Sequence, residues 1–391
     1  MYSLYLHIPF CARRCSYCDF NTYAGLEAWM PAYVDAVCRE MVLTSQAAGD
    51  KPLPVHTIFW GGGTPSLLSP AQVEQIMSTI RTNFQLCETN EATLEANPGT
   101  VSPGKLAALR QAGFNRISFG MQSAAAEELK LLRRLHTQEE VGQAVKWARQ
   151  AGFNNLNLDL IYGLPGQSLK SWQLTLEAAL MLQPEHLSMY SLTIEEGTPL
   201  YEWVEAGQVP QPDEDLTADM YEWAMDAMRQ AGFIHYEISN WAANEDLMCR
   251  HNLQYWHNQP YFGFGAGAHG YINGVRTANL GGVAEYIDKI WHAPALDYPA
   301  SPSAEMRLAI SKTEQIKETM MVGLRLVQEG IHAEVFKKRF GVELENVFGK
   351  EIQTLVSQGL LEWQNDNGRR LHLTRRGCLL GNQVFMQFVG D

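Results

Sequence analysis

Tyr5-Leu6-His7-Ile8-Pro9-Phe10-Cys11-Ala12-Arg13-Arg14-Cys15-Ser16-Tyr17-Cys18-Asp19-Phe20 stands near the start of the chain, and its reading decides the rest. Three of the seven cysteines fall within it, spaced Cys-x3-Cys-x2-Cys. Thiolates this close on a loop can converge on one metal centre. Three are one short of a closed zinc site, and one short of the four that usually hold a [4Fe–4S] cluster. A cubane on three thiolates keeps one iron open. Positions 11, 15 and 18 are also i, i+4 and i+7, so the cysteines would line one face of a helix as small apolar residues. Pro9 and the strand-like run before it argue instead for a strand running into a loop. Cluster, zinc site and plain packing all remain readings of the spacing.

The 391 residues suggest two or three domains. A chain of that size buries roughly three quarters of its unfolded surface, so a large core needs no disulfides. A net charge of -13 argues against nonspecific binding of nucleic acid, while leaving room for a local basic pocket. No run of about 18 apolar residues suggests a membrane span. No signal peptide precedes Tyr5, and an odd cysteine number fits a reducing compartment. A cytoplasmic protein is expected. Cys38, Cys87, Cys249 and Cys378 are scattered; Cys249 draws attention only because His251 follows closely.

Strands are expected at residues 4–10, 56–60, 92–96, 116–122, 155–161 and 186–194. Helices are expected at 26–45, 125–133, 137–151, 168–182 and 213–232. Ser69-Pro70 and Ser102-Pro103 start two more helices with a serine cap and a proline in the first turn. Six strand–helix units imply a parallel sheet with helices outside, short of a closed eightfold barrel. Periodicity does not separate a partial barrel from a doubly wound sheet. In both, the ligand site lies at the carboxyl ends of the strands. Cys11, Gly61, Glu95, Gln122 and Asp159 fall at or just beyond such ends.

Residues 236–270 are rich in glycine and aromatics, and 294–302 read as a linker. From Glu305 the chain reads as helical, ending in a hairpin of residues 360–363 and 370–373 around Asn365–Gly368. Helices plus a hairpin suggest a winged-helix-like module. Its run Lys337-Lys338-Arg339 reads as a solvated face rather than a nucleic-acid contact. The division expected is 1–235, 236–300 and 301–391.

Cys-x3-Cys-x2-Cys with Tyr17 before the last cysteine resembles the signature of the radical S-adenosylmethionine superfamily. Four motifs narrow the likeness: Leu4-Tyr5-Leu6-His7-Ile8-Pro9-Phe10-Cys11, Gly61-Gly62-Gly63-Thr64-Pro65-Ser66, Glu95-Ala96-Asn97-Pro98-Gly99 and His251-Asn252-Leu253-Gln254-Tyr255-Trp256. Together they resemble the HemW family of haem chaperones, which is related to oxygen-independent coproporphyrinogen III dehydrogenase. The likeness runs from about residue 3 to 390.

The resemblance implies an α/β fold, a partial (β/α)6 barrel followed by a mostly helical, winged-helix-like domain. It implies Cys11, Cys15 and Cys18 as ligands of a [4Fe–4S] cluster whose open iron binds S-adenosylmethionine. Tyr17 would pack on the adenine and Tyr5 would sit near the cofactor. Gly62, Gly63 and Thr64 would meet its methionyl end, since glycines allow close backbone approach. Glu95, Gln122, Arg134 and Asp159 complete the polar set; a carboxylate suits ribose hydroxyls or an ammonium, and Arg134 suits a carboxylate. Arg133 stands where the family usually has glycine.

His251 is the candidate haem ligand and His269 a second one, whereas His7 reads as structural. The dehydrogenase has a further cysteine two residues after the third ligand; here that residue is Phe20, which supplies no thiol chemistry. The expected function is haem binding and delivery to apo-haemoproteins, plausibly respiratory ones, with an electron donor such as flavodoxin or ferredoxin. Any membrane association would be peripheral, through the acceptor. The alternatives are oxidative decarboxylation of coproporphyrinogen III by a 5'-deoxyadenosyl radical, radical opening of the haem ring, and a zinc-binding structural protein.

Overall fold

The structure, a computed structural model, describes residues 1–49, 52–293, 298–365 and 368–389. They divide into two compact units, Met1–Met220 with Pro260–Leu308, and Tyr221–Gln259 with Ala309–Asp391. The segment 236–300 therefore contributes to both units, and part of the expected linker, 294–297, lies outside the described residues.

The first unit is built on six parallel strands: β1 (Tyr2–Ile8), β2 (Pro54–Gly62), β3 (Gln85–Ala96), β4 (Arg116–Gln122), β5 (Leu156–Tyr162) and β6 (His186–Ser191). Between them run α1 (Met30–Ala47), α2 (Pro70–Asn83), α3 (Pro103–Ala112), α4 (Ala126–Leu131), α5 (Gln138–Gln150) and α6 (Leu169–Met181). Two more helices follow, α7 (Pro199–Glu205) and α8 (Glu214–Gln230). The local signals act as read. Ser69 and Ser102 accept hydrogen bonds from Gln72 N and Lys105 N at the starts of α2 and α3, and each helix has proline in its first turn.

The six strands lie side by side in chain order. A doubly wound sheet would reverse direction at a switch point. An order that never doubles back belongs to a partial barrel, which settles the alternative that periodicity left open. One face of these strands is apolar and fully buried, with Leu4, Leu6, Ile58, Trp60, Leu94, Ile117, Phe119 and Leu158. The other carries Ser3, Thr57, Thr93, Arg116, Ser118, Asn157 and Ser188, polar side chains that are also buried. Register aligns Glu95 with Ser118, Ser118 with Asn157, and Asn157 with His186 across β3 to β6.

Two stretches of the first unit depart from the sequence reading. The glycine- and aromatic-rich stretch returns to the sheet: β7 (Tyr261–Phe264) pairs parallel with β1. β8 (His269–Ile272) and β9 (Val275–Asn279) follow antiparallel, then α10 (Val283–His292). Runs of four or five residues broken by Gly263, Gly265, Gly267 and Gly270 are too short for a periodicity to show. Residues 305–309, expected as helix, fall in the edge strand β10 (Ala304–Ala309) beside β9. The cause is visible afterwards: Glu305-Met306-Arg307-Leu308 alternates with period two.

The second unit contains α9 (Arg250–Trp256), α11 (Lys312–Gly323), α12 (Ala333–Phe340), α13 (Leu344–Ser357), α14 (Arg375–Leu379) and α15 (Gly381–Val389). Strands Leu361–Gln364 and Arg370–Leu373 pair antiparallel, with Ile331–His332 against the latter. Helices and a small antiparallel sheet make the winged-helix-like module that was expected; residues 366–367 of its turn lie outside the described set. Lys337 pairs with Glu343 at 2.6 Å, and Arg339 donates to the carbonyls of His257 and Asn258 at 3.0 and 2.7 Å. Two of the three basic residues are thus engaged within their own unit. Among the described residues no helix is long and apolar enough to cross a membrane.

Candidate functional site

The cysteine loop leaves β1 at the carboxyl end of the sheet and is tied down at several points. Phe10–Cys11 pairs with Tyr23–Ala24 at its root. Ser16 N and Oγ donate to Leu132 O and Leu131 O at 3.2 and 2.6 Å, and Leu200 N donates to Ser16 O at 2.8 Å. Asn21 Nδ2 donates to Ala266 O and Gly281 O at 3.1 and 2.9 Å. A loop of this length that makes so many backbone bonds is held in one conformation rather than left to sample many.

Cys11, Cys15 and Cys18 all face one cavity of about 570 Å3. Thr64 Oγ1 donates to Cys11 Sγ at 3.7 Å, Arg134 Nη1 to Cys15 Sγ at 3.4 Å, and Cys18 Sγ lies 3.9 Å from Thr22 Oγ1. Burial pushes the Cys11 and Cys18 thiols up, and the neighbouring cysteines add to it. Among the described residues no set of three or more His, Cys, Asp or Glu side chains closes on a single ion. Mononuclear zinc needs its sulfurs about 2.3 Å from one atom. A polynuclear cluster meets each thiolate at a different iron, so three thiols that border one cavity need not converge on a single atom.

The glycine triplet has a steric reason to be there. A Cβ on Gly63 would lie 2.6 Å from Phe10 O, and Gly63 N already donates to Ile8 O at 2.9 Å. Gly62 has φ +105°, and a Cβ there would meet the His7 ring at 2.5 Å. Side chains at either position would push away the root of the cysteine loop.

The structure brings Tyr17, Gly62, Gly63, Thr64, Glu95, Gln122, Arg134 and Asp159 to the same cavity as the cysteines. Gln122 holds φ +64°, a left-handed conformation that costs a non-glycine residue about 1–2 kcal/mol. Arg133 holds φ +55° and lays its guanidinium 4.7 Å from the Trp203 ring centre. It therefore occupies a backbone conformation that favours the glycine usual in the family, and the turn forms all the same. Burial, then the charge of Asp159, lifts the Glu95 carboxyl to about 8, against the opposing effects of the Gly62 N–H and Arg116. Asp159 is also lifted by burial, although Ser118 and Asn157 hydrogen-bond to it.

Tyr5 is not part of the cavity wall. Its hydroxyl lies 3.0 Å from His7 Nδ1, whose other nitrogen lies 2.8 Å from Asn21 O. The Asn21 carbonyl can only accept, so His7 Nε2 carries the hydrogen and Tyr5 donates to Nδ1. Burial and Glu95 hold the Tyr5 phenol well above its usual range. His251 belongs to the second unit, on α9, where it is 1% exposed with Nε2 3.0 Å from Tyr255 Oη. His269 is exposed at the start of β8, and Cys249 is fully buried.

Sequence reasoning missed Ser118, Asn97, Tyr190 and Leu192 on the cavity wall and Asn157 and His186 beneath it. A signal was present for two of them. Side chains two apart on a strand share a face, so Ser118 could have been found from Gly120 and Gln122, and Asn157 from Asp159.

With the geometry in place, the chain can be compared with known proteins. Residues 5–179 match the Radical SAM superfamily model and residues 310–380 the HemN C-terminal domain. The chain is 40% identical over 392 residues to "Heme chaperone HemW" of Bacillus subtilis, covering 100% of both. It is 38% identical to "Heme chaperone HemW" of Lactococcus lactis, covering 100% of this chain and 97% of that one. In fold it is similar to the solved coproporphyrinogen III oxidase (HemN) of Escherichia coli, with a TM-score of 0.84 at 23% identity, covering 99% of this chain and 89% of that one. End-to-end identity at this level, on a partial barrel with the cysteine loop at its open end, shows that the chain belongs to the HemW family of radical S-adenosylmethionine proteins.

Proposed function

We propose that this protein binds haem and delivers it to apo-haemoproteins, respiratory ones among them, in the cytoplasm. One observation carries the reading: the identity with proteins named haem chaperones extends over the whole chain. The residue two places beyond Cys18 agrees with it, since Phe20 is 63% exposed and brings no fourth thiol to the loop. In this reading Cys11, Cys15 and Cys18 hold a [4Fe–4S] cluster, and S-adenosylmethionine occupies the cavity beside it. Bound there, the cluster supplies an electron at low potential.

The remaining roles belong to the chain's own groups. Gly62 and Gly63 let the backbone approach the methionyl end, and Glu95 and Asp159 accept from its donors. Gln122 and Arg134 fix orientation, Tyr17 packs on the adenine, and Tyr5 sits near Glu95. His251 is the haem ligand, and its Nε2 lies within hydrogen-bond reach of the Tyr255 hydroxyl. The electron donor is a flavodoxin or ferredoxin, and membrane contact is peripheral, through the acceptor. Nucleic acid is not a partner.

The test is anaerobic cluster reconstitution followed by hemin titration, with and without S-adenosylmethionine. His251→Ala should raise the haem Kd about tenfold or more while leaving cluster absorbance intact; an unchanged titration rejects His251 as the ligand. The same preparation is incubated with coproporphyrinogen III. Vinyl products would overturn a chaperone-only reading in favour of the decarboxylase.

A further inference from the structure

We propose that Asn157, backed by His186, is a positioning residue that presents Asp159 to the cofactor as an acceptor-only carboxylate. The proposal rests on the reading of Asp159 as a cofactor contact given above. Its basis is a column of buried polar groups inside the barrel, in which Ser118 also lines the cavity while Asn157 and His186 do not. Asp159 Oδ1 lies 2.8 Å from Asn157 Nδ2, and Oδ2 lies 2.7 Å from Ser118 Oγ. Asn157 Nδ2 also lies 2.7 Å from Ser118 Oγ. His186, level with Asn157 across the sheet, meets Asn157 Oδ1 through Nδ1 at 2.6 Å, and Ser188 Oγ, level with Asp159, lies 3.2 Å from the same oxygen. Asn157, Ser118, Ser188 and His186 are all 3% exposed or less.

The direction of every proton in this column follows from its chemistry. A carboxylate accepts, so the asparagine must turn its NH2 towards Asp159 and its carbonyl towards His186. The histidine therefore carries hydrogen on Nδ1 and donates. Ser118, accepting from Asn157, donates to Asp159. Burial and the nearby Arg116 keep His186 neutral, so the column passes orientation rather than charge. The donors beneath Asp159 occupy its inward lone pairs, and what remains faces the cavity. The groups that Asp159 can recognise there are donors: sugar hydroxyls or an ammonium.

This column also accounts for a barrel interior that is polar where an apolar filling would otherwise be expected. An asparagine and a histidine buried this deeply are tolerated only because each finds partners. Neither touches the cavity, so their effect on a ligand runs through Asp159.

The experiment measures S-adenosylmethionine affinity by equilibrium dialysis on the cluster-reconstituted full chain. Asn157→Leu should raise Kd about tenfold, and Ser118→Ala, a milder change, about threefold. Iron content and cluster absorbance should not move, because the cysteine loop lies on another element. The decisive arm is a double-mutant cycle with Asp159→Asn. If Asn157 and Ser118 act through Asp159, neither substitution weakens binding further in the Asp159→Asn background. Full additivity would overturn the proposal, as would Asn157→Leu and Ser118→Ala binding like wild type while Asp159→Asn binds weakly. If Asp159→Asn itself binds normally, the cofactor-contact reading fails and the positioning role fails with it. Should Asn157→Leu not fold, Asn157→Ser, which keeps a small polar group at that position, takes its place in the cycle, and full additivity of that pair overturns the proposal.

Discussion

Glu40 offers a demanding test of how the site is held together. It lies on α1, fully buried, and faces the segment that follows β7. Its Oε2 accepts from Gly265 N at 2.8 Å and Tyr286 Oη at 2.5 Å. Its Oε1 accepts from Asn279 Nδ2 at 2.8 Å and from Ser301 Oγ. Burial lifts its carboxyl above the usual range, whereas these donors favour the anion. The same segment receives Asn21 from the cysteine loop at Ala266 O and Gly281 O. Glu40 therefore anchors both the strand that extends the sheet beyond β1 and one end of the loop that bears the cysteines.

Glu40→Gln turns an acceptor into a donor on one oxygen. If the amide nitrogen replaces Oε2 it faces the Gly265 N–H and strands that donor; if it replaces Oε1 the Asn279 amide loses one of its two acceptors but keeps Gly265 O. The cost is at most that of one buried donor without an acceptor, about 1–3 kcal/mol. Glu40→Ala strands more. The Asn279 amide keeps Gly265 O at 2.9 Å and Ser301 keeps Ser303 at 2.9 Å, but Gly265 N–H and the Tyr286 hydroxyl lose their acceptor. Two orphaned donors and a polar cavity amount to about 3–5 kcal/mol. Urea unfolding at pH 7, followed by hydrogen exchange at Gly265 and Ala266, reads both. The order expected is wild type, then Gln, then Ala. A Glu40→Ala protein within about 0.5 kcal/mol of wild type would refute the reasoning, and so would a Gln variant as unstable as Ala.

Two further outcomes follow from the site. Glu95 has a folded-state pKa of about 8 against 4.5 unfolded, so the folded state holds its proton more tightly. Its contribution to stability is complete below pH 4.5 and is lost as pH rises to about 8, a span of at most about 5 kcal/mol. Glu95→Gln, neutral throughout, should therefore gain on the cofactor-free wild type between pH 5 and pH 8; a pH-independent difference would contradict this. Gln122→Gly should relieve the left-handed backbone, leaving stability unchanged or up by about 1 kcal/mol, while S-adenosylmethionine affinity falls. A loss of more than about 1.5 kcal/mol in urea unfolding would mean that the conformation is not strained.

Much of the barrel is legible from local chemistry. Ser69-Pro70 and Ser102-Pro103 cap their helices from adjacent atoms, and Arg116–Gln122 is a strand by its own composition. The gathering of Cys11, Glu95, Gln122 and Asp159 at one cavity was legible too, because parallel strands put all their carboxyl ends on one side; Gly61, read with them, is not on its wall, where Gly62 and Gly63 stand instead. The return of β7 beside β1 was not. Its four residues carry too little pattern, and its place depends on Glu40, Tyr33 and Asn21, each more than 220 positions away in the chain.

The amino-acid order alone was enough for the strand–helix alternation and the thiol loop, since both follow from spacing within a few residues. Folding was needed to choose a partial barrel over a doubly wound sheet, to align Glu95 with Ser118, and to stack Asp159 on Asn157 and His186. Those choices depend on contacts between distant segments, whose energies no local window contains.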